Sequence, residues 1–228
     1  MSLPRRQSRS LEPHAAAPAS GGRLHVVTFG CQMNKYDSEL VESRFRGRGW
    51  ATTADPAEAD LVLFNTCSVR DHAEERVWSW LGELKRARAR RPDLVVGVMG
   101  CMAQRVEQEV FRRAGHVDLV VGTRAVHRLP VLVDELRERR AAGGADPRLV
   151  ALDMDERPDL PRDGEPWTGG REGYLAVMRG CDLNCTFCIV PTVRGRVLSR
   201  PLDELVGEAR WMVDQGARVV TLLGQTVN

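Results

Sequence analysis

One layout recurs three times in the first half of the chain: a short β-rich run, a turn, a cysteine, then a helical pattern. The runs are residues 24–29 ahead of Cys31, 60–65 ahead of Cys67 and 94–99 ahead of Cys101. The cysteines lie 36 and 34 residues apart, the length of one strand–helix unit. A fourth run, 117–121, leads into Gly122, Thr123 and Arg124 and carries no cysteine. Such alternation predicts a parallel sheet with helices on its faces. All strands of that sheet run one way, so the loops that follow them open at one carboxyl edge, where α/β folds place ligands. Cys31, Cys67 and Cys101 are therefore expected to converge. The plainer alternative is three buried cysteines acting as small apolar residues.

The helical patterns fill the gaps between runs. Asp37 is placed to cap a helix carrying Leu40, Val41 and Phe45, and Asp71 with Glu74 has the spacing of a capping box before Val77, Trp80, Leu81 and Leu84. Residues 1–22 have the composition of a disordered tail, and 23–140 form the expected amino-terminal domain. The stretch 141–172, rich in Ala, Gly and Pro, reads as a linker in which Trp167 can pin the chain to a surface. A second unit follows over 173–228: a strand at 174–178, a helix over 203–215 with Leu205, Val206, Ala209, Met212 and Val213 inward, and a strand at 218–223. The expected class is α/β, a parallel-sheet domain followed by the first strand–helix–strand of a larger, incomplete unit.

Composition narrows the setting. With 43% of its 228 residues hydrophobic, the chain can bury a core, and its apolar runs are far too short to span a membrane. The 33 basic residues nearly cancel the 31 acidic ones, so net charge argues for no partner. In Lys85–Arg91 (KRARARR), however, five of seven residues are basic. That run is either a phosphate-contacting patch or, as favoured here, the cationic last turn of a helix. Six cysteines in two spaced groups, with no secretory signal, point to metal binding in a reducing compartment such as the cytoplasm.

The second cysteine group is compact. GCDLNCTFCIVP, residues 180–191, holds Cys181, Cys185 and Cys188 and no fourth cysteine. Thiolates favour zinc, copper(I) or iron–sulfur clusters, and structural zinc closes with four protein ligands. None of the five histidines has metal-type spacing to this group. Three thiolates on a four-iron cluster would leave one iron free to bind something else.

The Cys-x3-Cys-x2-Cys arrangement of Cys181, Cys185 and Cys188, in a loop after a strand, resembles the radical S-adenosylmethionine enzymes. Upstream, TFGCQMNKYDSE (28–39), NTCSVRDHAEERVWSWLG (65–82), MGCMAQR (99–105) and VVGTRAVHRLPVLV (120–133) resemble the amino-terminal domain of the methylthiotransferases. Downstream, GYLAVMRGCDLNCTFCIVPTVRGRVLSRP (173–201) and LLGQTVN (222–228) extend the likeness. The wording around Cys31 and Cys67 is most similar to the branch that modifies tRNA, the 2-methylthio-N6-dimethylallyladenosine synthases.

The resemblance implies two 4Fe-4S clusters. One, on Cys31, Cys67 and Cys101, would carry the sulfur; the other, on Cys181, Cys185 and Cys188, would bind S-adenosylmethionine and generate a 5′-deoxyadenosyl radical, chemistry that side chains cannot supply. The substrate would be isopentenylated adenosine in the anticodon stem-loop of tRNA, with its C2–H unreactive to acid–base catalysis. An electron-donor protein and a sulfur source are implied partners, and a membrane is not.

Gln32, Asn34, Asn65 and Arg70 adjoin cluster cysteines and either shape the sulfur-transfer site or serve as turn and capping groups. Arg194 and Arg200 are candidates for phosphate or cosubstrate carboxylate, with surface salt bridges as the alternative. Phe187, between two ligands, is expected to shield the cluster. Val197 stands where relatives usually have an acidic residue. The family also continues into further barrel strands and a small RNA-binding domain, so this chain alone is expected to lack appreciable turnover. The rival substrates are a ribosomal-protein aspartate or threonylcarbamoyl-adenosine tRNA; the rival classes are a non-catalytic metal-binding module and an inert fragment.

Overall fold

The computed structural model describes residues 21–69, 71–143, 147–154 and 170–226, without the side chains of 71–73. The expected tail up to residue 20, Arg70 and Trp167 lie outside the described residues. In chain order the first unit comprises β1 (Arg23–Thr28), α1 (Gln32–Arg46), β2 (Ala51–Thr52), β3 (Leu61–Thr66), α2 (Asp71–Arg90), β4 (Val95–Gly100), α3 (Cys101–Arg105), α4 (Glu107–Arg113) and β5 (Leu119–Val121). A 3-10 turn at Val126–Arg128 leads into α5 (Leu129–Ala141), and β6 (Leu149–Ala151) closes the unit.

The six strands form one sheet in the order β2-β1-β3-β4-β5-β6, and every pairing is parallel. The expected parallel sheet is present, two strands wider than the four sequence runs suggest, by β2 and β6. β6 is three residues inside the stretch expected to be linker, pairing in register with β5 from Leu119↔Leu149 to Val121↔Ala151.

Strand periodicity explains why the sheet is covered on both faces. Leu61 and Leu63 of β3 join Val95, Leu119, Val41, Phe45, Leu132 and Leu136 in one core. Val62 and Phe64, pointing the opposite way, join Val96, Val98, Val77, Leu81, Met102 and Val110 in the other. Each fully buried residue of this kind stabilises the fold by about 1.5–3 kcal/mol. Thus α1 and α5 cover one face, and α2, α3 and α4 the other.

The second unit comprises β7 (Glu172–Ala176), β8 (Met178–Arg179), α6 (Val190–Arg194), β9 (Leu198–Ser199), α7 (Leu202–Asp214) and β10 (Val219–Leu223). β7 and β10 pair in parallel, and β8 and β9 form a short antiparallel pair. Leu175, Met212 and Ala217 make a small core with Leu205 and Ala209 partly buried. Val206 and Val213, expected inward, are exposed, because the helix buries only the stripe that meets β7 and β10.

Helix α1 joins the two units. Val41 and Phe45 face the sheet, whereas Met33, Tyr36 and Leu40 pack with Tyr174, Ala176 and Leu223 of the second unit. This overturns the expected role of Asp37. The helix begins five residues earlier, with Cys31 at its N-cap, and Asp37 is a buried mid-helix residue. The expected capping box lies partly outside the described residues, at the Asp71 side chain; its other member, Glu74, accepts two hydrogen bonds from Arg105 Nη2, at 2.6 and 2.7 Å. Two of the five cations of the basic run at 85–91 are engaged locally, Arg88 on the Pro92 carbonyl and Asp118, and Arg91 on Asp60 and the Ala57 carbonyl.

Candidate functional site

The strand order reverses between β1 and β3, since β2 is added outside β1 and the later strands outside β3. A crevice opens at the carboxyl ends of strands flanking such a switch point. Cys31 follows β1, Cys67 follows β3 and Cys101 opens α3 after β4. All three line one cavity of about 220 Å³, together with Gln32, Met33, Val69, Val190, Val193, Arg194, Leu223 and Gln225. The convergence expected from topology is therefore present, and the second unit forms the opposite wall.

Backbone geometry brings the loops this close. Gly30 has φ 110°, and a Cβ there would lie 2.5 Å from Cys67 Cβ and 3.0 Å from its sulfur. Gly180, φ 77°, would place a Cβ 2.0 Å from the Arg196 carbonyl oxygen. Both positions require glycine. Polar side chains then tie the loops together. Asn34 Nδ2 donates to the Phe29 and Thr66 carbonyls at 2.9 Å each and to Asn65 Oδ1 at 3.2 Å. Asn65 Nδ2 returns a bond to the Asn34 carbonyl at 2.7 Å and donates to Ser38 Oγ at 3.0 Å. Thr66 Oγ1 donates to the Met99 carbonyl and accepts from the Ala103 N–H, fixing the start of α3. Asn34 and Asn65 thus hold the loops that present Cys31 and Cys67, while exposed Gln32 lines the cavity without that role.

Charge at the cavity comes from a residue that sequence placed elsewhere. Arg194 is no surface cation; it is 4% exposed, and its Nη2 donates to Asn34 Oδ1 and Asp37 Oδ2, each at 3.1 Å. Arg179 Nη2 donates to Asp37 Oδ1 at 2.5 Å, so one buried carboxylate serves two guanidiniums. Burial alone would lower the Arg194 pKa, but Asp37, Cys101 and Cys31 more than offset it and the net shift is upward. Burial pushes the Cys101 thiol up, opposed chiefly by Arg194 and reinforced by Asp37 and Cys67. Arg200 is likewise no surface bridge: it pairs with Glu208 at 2.6 Å, both side chains being almost fully enclosed.

The compact group occupies the loop between β8 and α6. Cys181 is buried, Cys188 half-buried and Cys185 exposed. The Cys181 N–H bonds the Gly195 carbonyl at 3.1 Å, Thr226 Oγ1 lies 3.1 Å from the Cys181 sulfur, and the Cys188 N–H bonds the Cys185 carbonyl at 3.0 Å. Phe187 is 91% exposed at the turn of this loop and covers neither neighbour. A hollow of about 450 Å³ beside it is lined by Met178, Asp182, Leu183, Val197, Ser199 and Thr226. Asp182 anchors its rim by accepting the Val197 N–H at 3.0 Å.

All six cysteines are free thiols. Among the described residues no group of three or more His, Cys, Asp or Glu is arranged to hold a single metal ion. An all-sulfur donor set matches the softness of a multi-iron cluster, in which each thiolate takes a different iron. The three histidines with described side chains bond backbone carbonyls: His25 that of Thr53, His116 that of Leu81 and His127 that of Arg124. Sequence reasoning missed Asp37 and Arg179 as parts of the site, and also the Gly–Cys pairs at 30–31, 100–101 and 180–181, a visible signal for close backbone approach.

Residues 23–122 match UPF0004, an uncharacterized protein family, and residues 175–228 match the radical SAM superfamily. The tRNA-2-methylthio-N(6)-dimethylallyladenosine synthase of Bordetella petrii is 42% identical over 92% of this chain and 43% of its own length. That of Cereibacter sphaeroides is 44% identical over 90% of this chain and 46% of its own. The chain thus spans less than half the length of these curated relatives. In fold it is similar to the radical S-adenosylmethionine methyltransferase TsrM from Kitasatospora setae solved with cobalamin and a [4Fe-4S] cluster, with TM-score 0.57 and 14% identity over 90% of this chain and 48% of that one. No described helix is long and apolar enough to cross a membrane. With a UPF0004 segment leading into a radical SAM segment, the chain belongs to the family of the tRNA-2-methylthio-N(6)-dimethylallyladenosine synthases.

Proposed function

We propose that this chain carries two 4Fe-4S clusters, one on Cys31, Cys67 and Cys101 and one on Cys181, Cys185 and Cys188. In this reading it serves the methylthiolation of C2 of N6-isopentenyladenosine in the anticodon stem-loop of tRNA, with S-adenosylmethionine as cosubstrate. The supporting observation is that three cysteines from three separate loops line one cavity, in a chain 42% identical to a curated synthase of that name. The activity belongs to proteins more than twice this length, and the proposal concerns the share of it that these residues serve.

When bound, the clusters and S-adenosylmethionine supply sulfur and one-electron chemistry at a C–H bond that no side chain can deprotonate. The chain's own residues fix the geometry. Asn34, Asn65 and Thr66 hold the three loops of the first site. Met33, Val69, Val190, Val193 and Leu223 line it with apolar surface that limits water. The Gly195 carbonyl and Thr226 hold Cys181, while Cys185 stays open to solvent, where a cosubstrate can approach. An electron-donor protein and a sulfur source complete the partners, and a reducing cytoplasm suits six free thiols.

The test is iron, sulfide and zinc content after anaerobic reconstitution. We expect about eight irons per chain, falling to about four in the Cys31→Ala/Cys67→Ala/Cys101→Ala protein and to about four in the Cys181→Ala/Cys185→Ala/Cys188→Ala protein. Zinc without iron would replace this reading with a metal-binding module.

A further inference from the structure

The cavity that holds Cys31, Cys67 and Cys101 contains a hydrogen-bond donor with nothing to bond. Arg194 Nη2 is committed to Asn34 and Asp37, but Nη1 is buried and has no hydrogen-bond partner among the described residues. The side chain is 4% exposed and lines the cavity. An orphaned guanidinium N–H in such a place costs about 1–3 kcal/mol, more for a charged group, unless something there accepts it. Cys101 and Arg194 line the same cavity, yet Nη1 completes no hydrogen bond of normal geometry there.

The arginine is also held from several sides. Asp37 and Asn34 fix its tip. Arg124 Nε donates to the Arg194 carbonyl at 2.9 Å, and Thr123 Oγ1 donates to the Val193 carbonyl at 2.6 Å, so the loop after β5 fixes its backbone. A side chain fastened this firmly, with its Nη1 left over, is built to present an N–H of that nitrogen to an acceptor. The only acceptors that the proposed loading of this cavity brings are sulfurs.

We propose that Arg194, contributed by the second unit, is a positioning residue of the first cysteine site, donating a charge-assisted hydrogen bond from Nη1 to a sulfur of the cluster held there. The inference rests on the cluster reading given above. A cation and a hydrogen bond at a cluster sulfur both stabilise the reduced form, so they raise the reduction potential. The first site's electron affinity would then depend on the second unit being docked.

The experiment uses the chain with Cys181, Cys185 and Cys188 all changed to Ala, so that iron enters only the first site, labelled with 15N-guanidino arginine. The readouts are the midpoint potential by EPR-monitored titration and the 15N couplings of the reduced cluster. With iron at about four per chain, Arg194→Met is expected to lower the midpoint and abolish a 15N coupling present in the parent. Arg194→Lys, which keeps the charge but not the forked donor, is expected to give an intermediate midpoint without the coupling, and it serves where the methionine variant loads poorly. A loaded Arg194→Met or Arg194→Lys protein with the parent's midpoint and couplings overturns the role of Arg194 alone. A parent that takes up no iron overturns the cluster reading, and this inference with it.

Discussion

Replacing Asp37 by Asn should loosen the join between the two units. Asp37 is 1% exposed and is the shared acceptor for Arg179 and Arg194, themselves 6% and 4% exposed. Removing one partner of a buried ion pair costs about 3–5 kcal/mol, because the remaining charge stays out of water. Asparagine keeps one acceptor oxygen but turns an amide N–H toward a guanidinium, and Arg179 retains its place 5.4 Å over the Tyr36 ring. We therefore expect the lower end, about 3 kcal/mol. At a urea slope of about 2 kcal/mol/M this lowers the unfolding midpoint by about 1.5 M, read by tryptophan fluorescence with Trp50, Trp78 and Trp80 in the first unit and Trp211 in the second. The double variant Asp37→Asn/Arg194→Met should lose less than the sum of the singles, since they share one interaction. A midpoint within about 0.2 M of the parent would mean that the pair behaves like an exposed one, and the argument from burial would be wrong.

Three further outcomes are expected. Gly30→Ala should cut iron uptake at the first site while sparing the second, since its Cβ would collide with Cys67; equal loading of both sites would contradict the close approach. His116 has its pKa lowered from 6.5, first by burial, with the Leu81 carbonyl opposing. Its neutral form thus stabilises the fold above that pH, and stability is lost as pH falls through the lowered value. His116→Gln should flatten that acid-side loss in urea titrations run below about pH 6.5, and an unchanged pH profile would exclude His116 as its source. Phe187→Ala should leave unfolding within about 0.5 kcal/mol of the parent, because the ring is 91% exposed; a larger loss would show that the ring packs in solution.

Much of the first unit is legible in the residues themselves. Leu61 to Phe64 alternate between two cores, a period of two that only a strand covered on both faces produces, and the cysteines follow because parallel strands share a carboxyl edge. The join between units was not legible. Arg179 and Asp37 are 142 residues apart, and Arg194 and Asn34 are 160 apart, so no local pattern links them. Asp37 instead looked like a cap, since an acidic residue ahead of an apolar stripe has the same spelling in either role. β6 escaped notice because three residues among Gly and Pro carry too little periodicity to register. Val206 and Val213 were misplaced because an apolar residue on a helix says nothing about which side is covered.

Helix α1 has one wall against the sheet and another against Tyr174, Ala176 and Leu223, and this orders events on the ribosome. Its sheet-facing side can be satisfied as soon as β3 emerges, but Met33, Tyr36 and Leu40 must wait for residues more than a hundred positions later. During that interval the nascent first unit displays an apolar stripe next to three unprotected thiols. Chaperone capture and metal delivery would meet the chain at the same face and in the same window, so the timing of the second unit's synthesis governs when the site can close.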